Sequence, residues 1–209
     1  MSEYQDYGWK EGTTYHHNYL YNDLKTILNG KTMRYLDVGC GNGGIALRLL
    51  EEGYDVYGID ASITGIDIAK KSQPDRFHVQ DINTGELPAS LDNIFFNTII
   101  STEVIEHLYN PRNYIAFCKH VLMKNGGGDL IISCPYHGYF KNLVLAITGK
   151  FDNHFTVLWN GGHIKFWSRK TLTQLLEEFG FVVIGFKGSG RFPYLWKSML
   201  IKATISKNT

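Results

Sequence analysis

The sequence predicts an α/β protein built on a mainly parallel sheet with helices on both faces. Three observations carry this. Strand-like and helix-like stretches alternate from Met33 to Cys134. The run Ile94 to Ser101 is largely apolar, as in strands covered on both faces. The first strand also ends on a glycine-rich turn that opens a helix. Each parallel strand pair needs a right-handed crossover, so the carboxyl ends of the strands share one edge, where ligands of such sheets bind.

Taken in order, Thr14 to Leu28 reads as a leading helix, Met33 to Val38 as the first strand and Gly43 to Glu52 as a helix. Asp55 to Ile59 is the second strand, Ile63 to Lys71 a helix and Arg76 to Val79 a short third strand. Ile94 to Ser101 is the fourth, Asn113 to Met123 a helix behind Pro111, and Leu130 to Cys134 the fifth strand. The pattern then changes. Tyr136 to Trp159 is rich in aromatics and histidine, with a short helix expected at Asn142 to Thr148, so residues 136–165 read as an inserted substrate-side segment. Arg169 to Phe179 is helical with Gly180 as its stop, and Phe181 to Phe186 and Ser198 to Thr204 form a hairpin-like edge around a long loop.

At 209 residues the chain suits one domain spanning residues 1–209. Apolar residues make up 44% and charged residues 20%, enough material for a core and incompatible with disorder throughout. A formal charge of +1 argues against nucleic acid or an anionic membrane as the partner. No stretch has the about 18 consecutive apolar residues of a membrane span, and Met1 to Lys10 lacks the features of a leader, so a cytoplasmic location is expected. Cys40, Cys118 and Cys134 are odd in number and lack CxxC spacing, which points to reduced thiols.

The densest signal is the run from Tyr35 to Gly44. Gly39, Gly41 and Gly44 satisfy GxGxxG at a strand-to-helix turn, allowing close backbone approach to a ligand. Asp60 lies 19 residues beyond Gly41 at the end of the next strand, with Ala61 beside it, where a carboxylate accepts bonds from both ribose hydroxyls. Either a nicotinamide dinucleotide or S-adenosylmethionine would fit so far. Asp37 separates them: a carboxylate two residues before the first glycine repels a pyrophosphate and attracts an amino-acid ammonium. Asp81 suits an adenine amine with Ile82 against the ring, the alternative being a turn cap.

On these residues the chain resembles the class I S-adenosylmethionine-dependent methyltransferases. Leu36 to Gly43 is similar to their first motif and Tyr57-Gly58-Ile59-Asp60 to their second. The resemblance spans about Met33 to Thr204 and implies a Rossmann-like seven-stranded sheet whose last strand is antiparallel.

After the fourth strand comes Thr102-Glu103-Val104-Ile105-Glu106-His107. Thr102 ends the strand beside the cofactor region. Glu103, Glu106 and His107 stand at i, i+3 and i+4; on a helical turn they share a face, and two carboxylates with an imidazole suit a divalent cation such as magnesium or zinc. The pattern is also similar to ubiquinone-pathway O-methyltransferases and small-RNA 2′-O-methyltransferases, which implies carboxylates and histidine around a metal. A similar turn occurs across many small-molecule methyltransferases that this chain resembles, including ones expected to hold no metal, which implies as the alternative that the first Glu caps a turn and the His packs. His163, in Gly161-Gly162-His163, is either a further ligand or the base that removes a hydroxyl proton. His137 and His154 sit among aromatics that form either a lid over the acceptor or the core of the insert, Arg191 is a candidate contact for an anionic substrate group, and Trp9, Tyr7 and Tyr15 could close the pocket.

The expected function is methyl transfer from S-adenosylmethionine to a small-molecule acceptor, at a hydroxyl oxygen. The alternatives are an RNA 2′-O-methyltransferase, a non-catalytic cofactor-binding regulatory subunit and, more distantly, a nicotinamide oxidoreductase. Acceptor identity and oligomeric state stay open at this level.

Overall fold

A computed structural model of the chain describes residues 8–12, 15–155, 157–159 and 161–206. Its strands are β1 (Arg34–Val38), β2 (Asp55–Asp60), β3 (Phe77–Val79), β4 (Thr98–Thr102), β5 (Gly127–Pro135), β6 (Val182–Ser189) and β7 (Ser198–Ser206). The helices are α1 (Tyr15–Lys25), α2 (Gly44–Glu51), α3 (Ile63–Lys70), α4 (Pro111–Lys124), α5 (Tyr139–Ile147), α6 (Phe151–Phe155) and α7 (Arg169–Glu178). One seven-stranded sheet results, in the order β3-β2-β1-β4-β5-β7-β6.

β1 pairs in parallel with β2 and β4, setting Leu36 opposite Tyr57 on one side and Ile99 on the other. β7 runs antiparallel to both β5 and β6, with Ile201 opposite Ile132 and Phe186. The hairpin expected from the late strands is therefore present, and β6, not β7, forms the sheet edge. Alternating strand residues feed two cores. Leu36, Val38, Ile99, Leu130, Ile132 and Ile201 join α4 and α7 on one face. Tyr35, Ile100, Ile131 and Leu200 join α1, α2 and α3 on the other.

Helix ends follow local chemistry. Pro111 occupies the first turn of α4 behind Asn110, whose side chain accepts from Asn113 N. Ser168 caps α7 and forms a reciprocal box with Thr171. The strand expected from Ile94 begins only at Thr98. Phe96 is buried in the core from a segment without strand pairing, and the Asn97 side chain accepts from Arg34 N. An apolar run reports burial, and here loop residues are buried too. α1 ends at Lys25, short of the expected Leu28, and Thr14 lies outside the described residues. α5 starts at Tyr139, earlier than Asn142, directly after Gly138. α6 carries no periodic signal strong enough to be read from five residues.

Candidate active site

β1 delivers the glycine loop to the carboxyl edge. Gly39 (φ 78°) and Gly41 (φ 54°) both adopt left-handed backbone, which a side chain disfavours. Gly39 N and Cys40 N donate to Ile59 O at 2.8 and 3.1 Å, tying the loop to β2. Asp60 holds the same loop, accepting from Gly41 N at 2.8 Å and Ser62 N at 2.7 Å. Ser62 in turn caps α3 through Gly65 N. Ala61 is half-buried between them.

The segment of residues 8–12 lies across this loop. A Cβ on Gly41 would fall 2.5 Å from the Trp9 ring, and Asn42 donates to Lys10 O and Gly12 O at 2.7 and 2.9 Å. Trp9 thus packs on the glycine turn. Tyr7 and the side chain of Tyr15 lie outside the described residues.

Asp37 is 1% exposed, and its Oδ1 is buried without a hydrogen-bond partner among the described residues. Burial, reinforced by the nearby Asp60 carboxylate, pushes its carboxyl up to about 8. A buried acceptor of this kind is satisfied by a cation, and the ammonium of an amino-acid moiety meets that need. These residues therefore fit S-adenosylmethionine. Asp81 is the cap of the 3₁₀ turn over residues 82–84, its Oδ1 accepting from both Asn83 N and the Asn83 side chain at 2.9 Å. Ile82 packs against the core beside it, and Thr102 is half-buried at the end of β4.

The expected shared face of Glu103, Glu106 and His107 is not formed. Glu103 has φ 56° and precedes a short 3₁₀ turn at Ile105–His107, so it leaves the helical spacing. Its backbone N donates to Ser133 O, and its carboxylate accepts from Ser133 Oγ at 2.9 Å. His163 takes its place: ligand atoms of Glu106, His107 and His163 all lie within 4.8 Å of one another. Glu106 is fully buried, and among the described residues neither carboxylate oxygen has a hydrogen-bond partner; His107 Nε2 is 3.9 Å from Oε1. Ile164 N and Lys165 N both donate to Glu106 O, at 2.9 and 3.0 Å, which docks the His163 segment on the turn. The His107 and His163 rings meet edge-on at 4.9 Å. Burial drives the Glu106 carboxyl well above its ordinary value, with Glu103 adding to it, and lowers His107. Burial also raises Glu103 to about 7 against the pull of the Ser133 and Ser198 hydroxyls.

His137 stacks on Phe155 at 5.9 Å and meets Phe166 and His154 at 5.2 and 5.5 Å, so these rings form a small core of the insert. Arg191 is exposed on the β6–β7 loop. Sequence reading missed Lys141, Ser133 and Ser198. Lys141 sits in an apolar helical run and is nevertheless buried, while serines within strands look like ordinary core filling.

The methyltransferase domain family matches residues 14–185. The ubiquinone biosynthesis O-methyltransferase of Cereibacter sphaeroides is 28% identical over 191 residues, covering 89% of this chain and 75% of its own length. That of Roseobacter denitrificans is 29% identical over 189 residues, with the same coverage. Among solved structures, the magnesium protoporphyrin IX methyltransferase of Synechocystis with bound SAH superposes with a TM-score of 0.60 at 19% identity, over 90% of this chain and 80% of that one. A Thermotoga maritima protein described as a possible histamine N-methyltransferase gives 0.65 at 18% identity, covering 90% and 88%. The chain belongs to the methyltransferase domain family and is an S-adenosylmethionine-dependent methyltransferase. Among the described residues, no helix is long and apolar enough to cross a membrane.

Proposed function

We propose that the enzyme methylates a hydroxyl oxygen of a small-molecule acceptor, in the cytoplasm, with a divalent cation at Glu106, His107 and His163. The observation that carries this reading is Glu106: a fully buried carboxylate with two unpartnered oxygens, beside two imidazoles whose donor atoms lie within 4.8 Å. One oxygen and two nitrogen donors suit a zinc-class ion better than magnesium. The Cereibacter and Roseobacter relatives, both ubiquinone biosynthesis O-methyltransferases, support oxygen as the attacked atom.

When bound, S-adenosylmethionine supplies the methyl group on its sulfonium, and a cation lowers the pKa of a hydroxyl that it contacts. The chain supplies placement. Asp37 and the glycine loop would hold the amino-acid end, Asp60 and Ala61 the ribose region, and Asp81, Ile82 and Thr102 the remaining walls. Val104 packs directly against Gly39, so the turn carrying Glu106 is braced on the cofactor loop. His163 stands where it either completes the donor set or removes the acceptor's proton.

Metal analysis together with methylation of catechol-type and amine acceptors tests the reading. The expected result is about one divalent ion per chain, loss of hydroxyl methylation on chelation, and recovery with zinc or magnesium. In His163→Ala, loss of the ion marks a ligand; a retained ion with turnover lowered by about 10²-fold or more marks the base. Metal-free protein that methylates hydroxyls at full rate would refute the cation, and exclusive methylation of amines would refute the oxygen assignment.

A further inference from the structure

We propose that Lys141 and Arg191 form the recognition site for an anionic group, a carboxylate or a phosphate, on the methyl acceptor. This rests on the acceptor being a small molecule, as read above. Lys141 lies in α5, which begins just after the carboxyl end of β5, and it is 4% exposed. Its ammonium has three protons to donate, and its hydrogen bond is a long one, 3.3 Å to Lys197 O. Among the described residues no carboxylate oxygen lies within ion-pair distance of it. A buried cation left in this state is costly, and an anionic ligand group removes the cost.

The surroundings favour an anion. The β6–β7 loop, whose Lys197 O accepts from Lys141, also carries Arg191, a second positive charge that acts on Lys141 and has no ion pair of its own among the described residues. Burial and then Arg191 lower the Lys141 ammonium to about 8, which leaves it mostly protonated at neutral pH. Burial first and then the Lys141 charge lower His137 and His154 to about 4, Arg191 adding to the effect on His154, so both contribute neutral rings. His137 is buried with Asn142 beside it, and neither ring nitrogen has a well-formed hydrogen bond. The acid that senses Lys141 is Glu103, and its carboxylate is taken up by Ser133. Glu103 feels the Lys141 charge and itself acts on Glu106, which links Lys141 to the turn that carries Glu106 and His107.

Calorimetric binding of benzoate, benzamide and phenyl phosphate to the full chain saturated with S-adenosylhomocysteine tests this. Benzamide is the neutral isostere of benzoate. Wild-type protein is expected to prefer an anion over benzamide at least tenfold, and Lys141→Gln to reduce that ratio to near unity. The tighter of benzoate and phenyl phosphate then names the group. Arg191→Gln, an exposed change that leaves the core untouched, is expected to reduce the ratio at least threefold, and it decides the matter should Lys141→Gln not fold. Equal binding of anion and isostere, no binding of any probe, or a preference retained in the deciding variant would overturn the proposal. No turnover is read, so failure of the hydroxyl assignment and failure of anion recognition remain distinct results.

Discussion

Asp37 is a carboxyl whose buried Oδ1 has no hydrogen-bond partner among the described residues, in a place where ionisation is costly, and its titration gives a signed pH dependence. Its folded value of about 8 lies above the ordinary carboxylate value of 3.8. Between these values the folded chain holds a proton that the unfolded chain has released, so this residue's contribution to stability is greatest at low pH and is lost as pH rises towards 8, by about 1 kcal/mol per pH unit. Binding an ammonium reverses the preference and releases the proton. Affinity for S-adenosylhomocysteine is therefore expected to climb between pH 6 and 8, by up to about tenfold per unit, and to level off above. Calorimetry across that range should show the slope in wild type and a flat, weaker profile in Asp37→Asn; equal slopes would remove Asp37 from the ammonium site. Gly41 gives a second residue-scale prediction. Alanine there meets both a left-handed backbone and the Trp9 ring, so Gly41→Ala should weaken the same ligand at least about tenfold, with about 1–2 kcal/mol lost from the fold.

At the scale of elements, α7 is held by its reciprocal cap and by Leu172, Leu175 and Leu176 against the sheet. Ser168→Ala removes the side-chain acceptor for Thr171 N at 3.2 Å and should cost about 1 kcal/mol in denaturant unfolding without changing cofactor affinity. A change in affinity would mean that α7 reports to the site through Trp167, whose Nε1 donates to Ile105 O at 3.4 Å. α5 behaves differently from the other helices. Tyr139, Leu143 and Ile147, one helical face, are all exposed, and Lys141 is its buried residue. Val144 and Leu145 on its other side are only half-buried, so the helix lacks a fully buried apolar stripe.

At the scale of the molecule, β7 joins the parallel part of the sheet to its edge, and Ile201 packs in the core at the point where β5, β6 and β7 align. Ile201→Ala should therefore cost about 2–5 kcal/mol. We read residues 1–209 as one folding unit, and on that reading the loss appears as one shifted transition. Tryptophan fluorescence and far-UV circular dichroism should give coincident curves; a separate earlier phase seen by Trp159 and Trp167 would show that the insert unfolds independently.

What the sequence by itself determined was the part governed by local rules. Helix caps, the left-handed glycines after β1 and the carboxylates at strand ends occupy fixed offsets, so the parallel sheet, the cofactor edge and Asp37 could be read from spacing. The antiparallel last strand came through family resemblance. The Glu103 face was misplaced because one residue with positive φ breaks helical spacing, and positive φ at a glutamate has no sequence mark. Tertiary structure alone decided that His163, 56 residues beyond His107, docks through two backbone bonds on Glu106 O. It also decided that Lys141 is buried with, among the described residues, no carboxylate at ion-pair distance. Both are contacts between segments distant in sequence, made by packing around the insert, and no periodicity along the chain encodes them.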